Sequence, residues 1–309
     1  MNTVEKWDLS NRRTLAKAIS LIESTAEKDQ PAADALITEL GKMPSQAPAP
    51  VIAITGAPGA GKSTFIDAFG QKLANLGHLI AILTIDPTSP LSGGAILGDK
   101  TRMSKLAQHP NVFIRPSPSG AGRLGGVSAK TEDVIYILQA AGFEYIFIET
   151  VGVGQSEIDA SLMSNIVMML IAPGAGDELQ GIKKGNLEFV DLLIVNKYDG
   201  DTKEIARATA DDYQLALTGL NKKVILTSAL EATNFEEILA AVNGCPRGPV
   251  SHDQALTLLK RRLESELLQK LMAIPAIAHF YHEVESQCLP TRIKAKIFNE
   301  KLKNLLTPQ

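Results

Sequence analysis

A glycine-rich segment that directly follows a short apolar run constrains the fold of this chain more than any other feature. The segment, GAPGAGKST, occupies residues 56–64, and the run before it is VIAIT. Glycines let backbone amides turn towards phosphate oxygens, and the start of a following helix adds positive partial charge. Lys62 of such a loop reaches the β and γ phosphates, and the Ser63 hydroxyl is offered to Mg²⁺. We therefore predict a phosphate-binding loop formed by Gly56, Ala57, Pro58, Gly59, Ala60, Gly61, Lys62, Ser63 and Thr64.

Six more apolar runs follow VIAIT along the chain and alternate with helical segments. They read LIAILTID, VFIRP, YIFIET, IVMMLIA, LLIVNK and KVILTSA. Apolar runs without polar alternation are typical of central parallel strands that are covered by helices. We therefore predict an α/β fold of the P-loop NTPase type, with a mostly parallel sheet flanked by helices.

The two ends of the chain have a helical pattern instead. Apolar residues recur at helical spacing over residues 10–41, interrupted at Pro31, and the proline-rich stretch MPSQAPAP then ends the pattern. After Pro249 no strand pattern appears. The sequence thus predicts an N-terminal helical extension over residues 1–45, a nucleotide domain over 50–247 and a C-terminal helical extension over 248–309.

Four leucines recur every three or four residues in the first helix of the C-terminal extension. They are Leu256, Leu259, Leu263 and Leu267. A leucine stripe of this kind can pack on its own domain or serve as a dimerisation arm, and the spacing alone fits both.

Polar residues that end two later apolar runs point to guanine as the base. In LLIVNKYD the apolar run is followed by Asn196, Lys197 and Asp199. An aspartate accepts hydrogen bonds from guanine N1–H and the exocyclic amine together, whereas adenine offers no such pair. The next run ends in Ser228, Ala229 and Leu230, which we predict to close on the base. GTP and GDP are therefore the expected ligands.

A magnesium ion bound with the nucleotide needs oxygen ligands, and three acidic residues have suitable positions. Asp86 ends LIAILTID, Asp99 lies in LGDKTR, and Glu149 ends YIFIET. In open α/β sheets ligands bind at these carboxyl ends of the strands. We predict Mg²⁺ ligation by Ser63, Asp86, Asp99 and Glu149.

Bulk properties exclude several other classes of protein. The net charge is −3 with both signs well mixed, so a nucleic-acid partner is not expected. The two cysteines are too few for a disulfide framework and suit a reducing compartment. The N-terminus has no apolar signal region, and the longest apolar run is too short to span a membrane. We expect a cytoplasmic protein with no membrane partner.

Taken together, GAPGAGKST, DPTSPLSGGAILGDKTRM, FIRPSPSGAGRLGGV, ETVGVGQSE, PGAGDELQGIKKG and VNKYDGD resemble the methylmalonyl-CoA mutase-associated GTPases of the MeaB or ArgK type. The resemblance covers about residues 50–235. It implies a G-protein chaperone that assists adenosylcobalamin loading of the mutase and protects that enzyme. It also implies a homodimer formed through the C-terminal extension, and a further switch loop over residues 173–185.

The expected reaction is phosphoryl transfer from GTP to water, with Lys62 and Glu149 among the catalytic residues. Gln155 is a candidate for positioning the water by analogy with glutamines near the second acidic strand, although a polar role at a helix start fits equally well. Because no arginine is obviously aimed at the site, we expect slow basal turnover that a partner stimulates.

Three alternatives belong to other functional classes. A GTPase that loads nickel enzymes would share the core, but such proteins tend to cluster His and Cys, and the histidines here are dispersed. An amino-acid transport ATPase or regulatory kinase is disfavoured by Asp199 and by the position of the LSGG sequence at residues 91–94. A cobalamin-binding module is disfavoured because the chain contains no DxHxxG sequence.

Overall fold

The computed structural model of the chain describes residues 7–42, 49–86, 103–118, 126–150, 155–175, 189–219, 222–245, 250–286 and 291–306. Seven parallel strands form one sheet in the order β3-β2-β4-β1-β5-β6-β7. Each of the seven apolar runs coincides with all or most of one strand. The strands are β1 (Val51–Thr55), β2 (Ile80–Asp86), β3 (Val112–Pro118), β4 (Tyr145–Thr150), β5 (Ile166–Ile171), β6 (Leu192–Val195) and β7 (Val224–Leu226). The predicted α/β fold class is confirmed.

Helices cover both faces of the sheet, as the absence of polar alternation in the strands requires. The helices of the described residues are α1 (Arg12–Glu23), α2 (Gln30–Leu40), α3 (Lys62–Asn75), α4 (Gly126–Ala140), α5 (Gln155–Met163), α6 (Lys203–Ala216), α7 (Phe235–Gly244), α8 (His252–Met272), α9 (Pro275–Glu285) and α10 (Thr291–Leu306).

The two sheet faces bury different sets of side chains because neighbours along a strand point in opposite directions. On one face Ile52 and Ile54 of β1 pack with the aromatic residues Phe65 and Phe69 of α3. On the other face Ala53 packs in a cluster that includes residues of α1, α2, α4 and α5. Helix α3, which follows the glycine-rich loop, is therefore anchored under the carboxyl end of β1.

Both helices predicted at the N-terminus are present, and they belong to the core of the sheet. Asn11 caps α1 by accepting hydrogen bonds from the backbone N–H groups of Arg13 and Thr14 at 2.9 and 3.3 Å. Pro31 lies in the first turn of α2, where a missing N–H group leaves no bond unmade. The interruption between the two helices therefore lies before Pro31, and Pro31 itself is helical.

Helix α8 has one face on the domain and one face in solvent. On the inner face Leu258 is buried, and Arg262 forms a bidentate ion pair with Asp133 of α4 at 2.8 and 3.1 Å. The four leucines of the predicted stripe lie on the outer face, each about half exposed: Leu256, Leu259, Leu263 and Leu267. The helix itself packs on its own domain, and the stripe leaves an apolar surface that is partly exposed. None of the helices that the structure describes has the length and apolar character to cross a membrane.

Candidate functional site

The glycine-rich loop connects β1 to α3 and takes a backbone course that only glycine adopts easily. Gly56, Gly59 and Gly61 have φ angles of 134°, 86° and 90°. At Gly56 a Cβ atom would lie 2.1 Å from the carbonyl oxygen of Leu170 in the neighbouring strand β5. This first glycine is therefore required by the close approach of two strands as well as by its φ angle.

Lys62 is the first residue of α3, and its ammonium group turns back over the loop. Its Nζ donates hydrogen bonds to the carbonyl oxygens of Gly56 and Ala57, and the residue is only 8% exposed. Burial lowers the pKa of the Lys62 ammonium, while the nearby charges of Glu149 and Glu157 act in the opposite direction. A buried cation on the inner side of the loop is suited to binding an anion that enters it.

A cavity of about 660 Å³ opens beside this loop at the carboxyl end of the sheet. Within it the Ser63 hydroxyl donates a 2.5 Å hydrogen bond to Oε1 of Glu149, the penultimate residue of β4. The described lining residues are Pro58, Gly59, Gly61, Lys62, Ser63, Thr64, Thr84, Ile85, Glu149, Thr150 and Lys197. The sheet thus brings together the predicted phosphate loop and one predicted metal ligand.

The side chains of the cavity fit Mg²⁺ in chemical type. A serine hydroxyl and a carboxylate are hard oxygen donors, and Mg²⁺ in nucleotide sites takes one or two protein ligands and keeps several waters. Among the described residues, no group of three or more His, Cys, Asp or Glu side chains could hold a metal ion. The backbone of Asp86 ends β2, but its side chain lies outside the described part of the structure, as does the whole of Asp99.

Asn196 connects the phosphate loop to the loop after β7. The residue is 2% exposed, its Nδ2 donates to the carbonyl oxygen of Ala60 at 2.9 Å, and its Oδ1 accepts from the N–H group of Ala229 at 3.1 Å. Both ends of the amide are therefore engaged with backbone. This geometry gives Asn196 a positioning role between two loops that are predicted to hold the nucleotide.

Lys197 and Asp199 follow Asn196 in the same loop. Lys197 has a φ angle of 59°, a strained value for a residue that is not glycine, and its exposed side chain reaches the cavity. The Ser228 hydroxyl donates to Oδ2 of Asp199, so the two predicted base-binding segments are joined directly. Ala229 is buried next to them, whereas the Leu230 side chain is 80% exposed.

One acidic residue near the site was not singled out from the sequence. The Thr55 hydroxyl, at the end of β1, donates to Oε1 of Glu157 in α5 at 2.7 Å, and the Glu157 charge acts on Lys62. The sequence did offer a signal for Glu157, because it ends the segment ETVGVGQSE two residues after Gln155. Gln155 begins α5, and its side chain lies outside the described residues. The predicted switch loop over 173–185 is described only as far as residue 175.

Comparison with protein families shows which family the chain belongs to. Residues 15–272 match the model of a family described as methylmalonyl Co-A mutase-associated GTPase MeaB. The chain belongs to this family. Membership of the MeaB family of P-loop GTPases implies binding of GTP and GDP.

Individual relatives of this MeaB-family GTPase support the assignment. The GTPase ArgK of Escherichia coli is 38% identical over 296 residues, which are 91% of this chain and 88% of the relative. A protein of Caulobacter vibrioides named as a GTPase is 52% identical over 207 residues, 67% of this chain. That match spans only 62% of the length of the Caulobacter protein.

A solved structure extends the likeness to nearly the full chain. The crystal structure of an LAO/AO transport system kinase superposes with a TM-score of 0.70 and 29% identity. The superposition covers 97% of this chain and 96% of the other. The helical extensions on either side of the GTPase sheet therefore have counterparts in that protein.

Proposed function

We propose that this MeaB-family GTPase hydrolyses GTP to GDP and phosphate as a conformational switch that assists adenosylcobalamin loading of a methylmalonyl-CoA mutase and protects that enzyme. The observation that carries the proposal is one cavity in which Lys62, Ser63 and Glu149 meet below the loop that holds Asp199. The phosphate loop follows β1 and Asp199 follows β6, so a site for phosphate and a carboxylate that can select guanine both lie at the carboxyl ends of the strands. The family description supports the mutase as partner.

The chemistry assigned to the residues is electrostatic. Backbone amides of the glycine loop and the Lys62 ammonium stabilise the charge that develops on the γ phosphate. A Mg²⁺ ion bound with the nucleotide would neutralise phosphate charge, and Ser63, Asp86, Asp99 and Glu149 are the residues proposed to hold it. Asn196 keeps the loop in place while Lys197 and Asp199 bind the guanine base, closed over by Ser228, Ala229 and Leu230.

Turnover by the isolated protein is expected to be slow. No arginine occurs among the described residues that line the cavity, so none of those residues can supply a guanidinium group to the transferred phosphoryl group. Gln155, at the start of α5, remains the candidate for positioning the attacking water. A partner that supplies a cation to the site would raise the rate.

The exposed stripe of α8 supports a homodimer. Four leucines that are about half exposed on one helix face form an apolar surface of the kind that oligomer interfaces cover. We assign this surface to a second copy of the chain. Replacing Leu259 and Leu263 by serine would give a monomer by sedimentation at micromolar concentration, and an unchanged dimer, or a wild-type monomer, would refute the assignment.

Hydrolysis assays test the proposal for the nucleotide site. Phosphate release from GTP is measured for the protein alone and with methylmalonyl-CoA mutase, and we expect the mutase to accelerate it. Lys62→Ala should weaken GTP binding on the order of 100-fold, the loss of charged hydrogen bonds. Lys72→Ala is the matched control, because Lys72 lies on the same helix but pairs with Glu236 at the surface. Fast turnover of the isolated protein, or equal GTP affinity of the two variants, would contradict the proposal.

A further inference from the structure

The Thr84 hydroxyl is buried without a hydrogen-bond partner among the residues that the structure describes. Thr84 is 2% exposed, and its Oγ1 atom is buried in the structure without ligands. Leaving a polar group unpaired inside a protein costs free energy, so buried hydroxyls are normally bonded. A threonine in this condition is therefore expected to have a partner that is not part of the described protein.

The strand register places Thr84 beside the carboxylate of the site. Thr84 of β2 is directly paired with Glu149 of β4 in the parallel ladder, so the two side chains point to the same face of the sheet. That face carries Ile80 and Ile82 earlier in β2 and is the one covered by α3. Thr84 also lines the cavity that contains Ser63.

The position is one that valine would fill without penalty if packing were its only task. Valine has the shape of threonine without the hydroxyl, and the preceding inward residues of β2 are both isoleucine. The unpaired hydroxyl thus lowers the stability of the free protein. A loss of stability in the free protein is common where a ligand completes the polar contacts of a site.

The sheet order decides which part of a nucleotide Thr84 can serve. From β2 the order runs through β4, β1 and β5 to β6, whose end carries Asn196 and Asp199. Four steps of about 4.8 Å separate β2 from β6 by about 19 Å, so Thr84 lies far from the base. It is paired instead with Glu149 and shares the cavity with Ser63, two of the four residues proposed to hold Mg²⁺.

We propose that Thr84 is a positioning residue for the metal, its hydroxyl binding a hydration water of the Mg²⁺ ion that accompanies the nucleotide. The inference rests on the proposed GTPase function and names a residue that was not among the predicted site residues. Mg²⁺ keeps several of its waters in nucleotide sites, and groups that bind those waters tune its affinity.

The test compares Thr84→Val, which keeps the shape, with Thr84→Ser, which keeps the hydroxyl. Dissociation of fluorescent GDP is followed while Mg²⁺ is titrated, and again in excess EDTA. We expect Thr84→Val to need about 10-fold more Mg²⁺ for half-maximal retention of GDP. Thr84→Ser should need the wild-type concentration, and all three proteins should release GDP equally in EDTA.

A second measurement separates this role from a structural one. Without nucleotide, Thr84→Val should unfold at a higher urea concentration than the wild type, and with Mg²⁺ and GDP this advantage should shrink or reverse. A wild-type Mg²⁺ midpoint for Thr84→Val overturns the inference, as does an equal loss of GDP affinity in EDTA. If Thr84→Val does not fold, the packing argument above is wrong and the inference falls with it. A wild-type protein that binds no guanine nucleotide at all would instead overturn the proposed function.

Discussion

The Ser63 hydroxyl donates its 2.5 Å hydrogen bond to Glu149 across 86 positions of sequence, joining the start of α3 to the end of β4. Ser63 belongs to the loop predicted to bind phosphate, and Glu149 to the strand predicted to face the metal. Their contact means that a ligand entering the cavity meets the hydroxyl and the carboxylate together. Because Ser63 donates its hydroxyl hydrogen in this bond, the lone pairs of its oxygen stay available to a metal ion.

Glu149→Gln tests the role of the carboxylate. The amide preserves the size of the side chain but removes its charge. We therefore expect half-maximal GTP binding to need about 10- to 100-fold more Mg²⁺. Calorimetry of GTP binding at several Mg²⁺ concentrations measures the effect. Glu157→Gln is the control, because Glu157 also accepts a hydrogen bond near Lys62 but is not among the described cavity residues. Equal responses of the two variants would contradict the assignment.

Gly56→Ala tests the packing of the loop against the sheet. The new Cβ atom would meet the backbone oxygen of Leu170 at 2.1 Å, which neither strand can relieve without moving. We expect the free energy of unfolding to fall by more than ~3 kcal/mol, because a backbone clash adds to the strain of a positive φ angle. Gly77→Ala is the control, since Gly77 also has a positive φ angle but has open space around it, and it should cost about 1–2 kcal/mol. Urea denaturation of both variants gives the comparison; equal losses would mean that the clash is relieved.

Asp199→Asn tests the choice of base. An amide at this position can donate to the 2-oxo group of xanthine but cannot accept both guanine donors, so preference should change from GTP to XTP. The loss of GTP affinity should be about 10- to 150-fold, as expected for hydrogen bonds to a charged group. Asp201→Asn carries the same change two residues further on, at an exposed position, and should leave GTP affinity unaltered. Wild-type GTP affinity in Asp199→Asn would refute the assignment of the base.

Arg262→Lys tests the attachment of α8 to the GTPase domain. Lysine keeps the charge but cannot form the two parallel bonds to Asp133, so we expect a loss of about 1 kcal/mol in the free energy of unfolding. Limited proteolysis should also cut α8 faster. Lys260→Ala, at an exposed position of the same helix, is the control for any change in α8 itself. Equal cleavage rates in wild type and Arg262→Lys would show that other contacts hold the helix.

The second contact of α8 leads towards the nucleotide site. Arg261 of α8 pairs with Asp159 of α5 at 2.5 Å. Glu157, which lies two residues before Asp159 on α5, accepts the hydrogen bond from Thr55. Helix α5 is therefore held from both sides, by the strand that precedes the phosphate loop and by the C-terminal extension. Neither contact could be predicted from the leucine spacing in α8, which fitted both packing on the domain and a dimerisation arm.

Much of the fold was predictable because it depends on local patterns. Seven apolar runs identified seven strands, since a strand buried on both faces needs apolar residues at every position. Helix boundaries were less predictable. Pro31 appeared to divide the N-terminal helices, but a proline is tolerated in the first turn of a helix, and Pro31 lies in the first turn of α2. The division therefore lies before Pro31. The stripe on α8 was ambiguous because helical spacing shows which residues share a face and not what covers that face.

The sequence by itself determined the glycine loop, its strand and helix, and the residue types that are predicted to recognise phosphate and guanine, because each of these depends on a few consecutive residues. Only the tertiary structure decided that Glu149 meets Ser63, that Asn196 ties Ala60 to Ala229, and that Thr84 lies beside Glu149. These contacts depend on β1 lying between β4 and β5, with β2 next to β4. Strand order is set by the packing of the whole sheet, and no local pattern of residues encodes it.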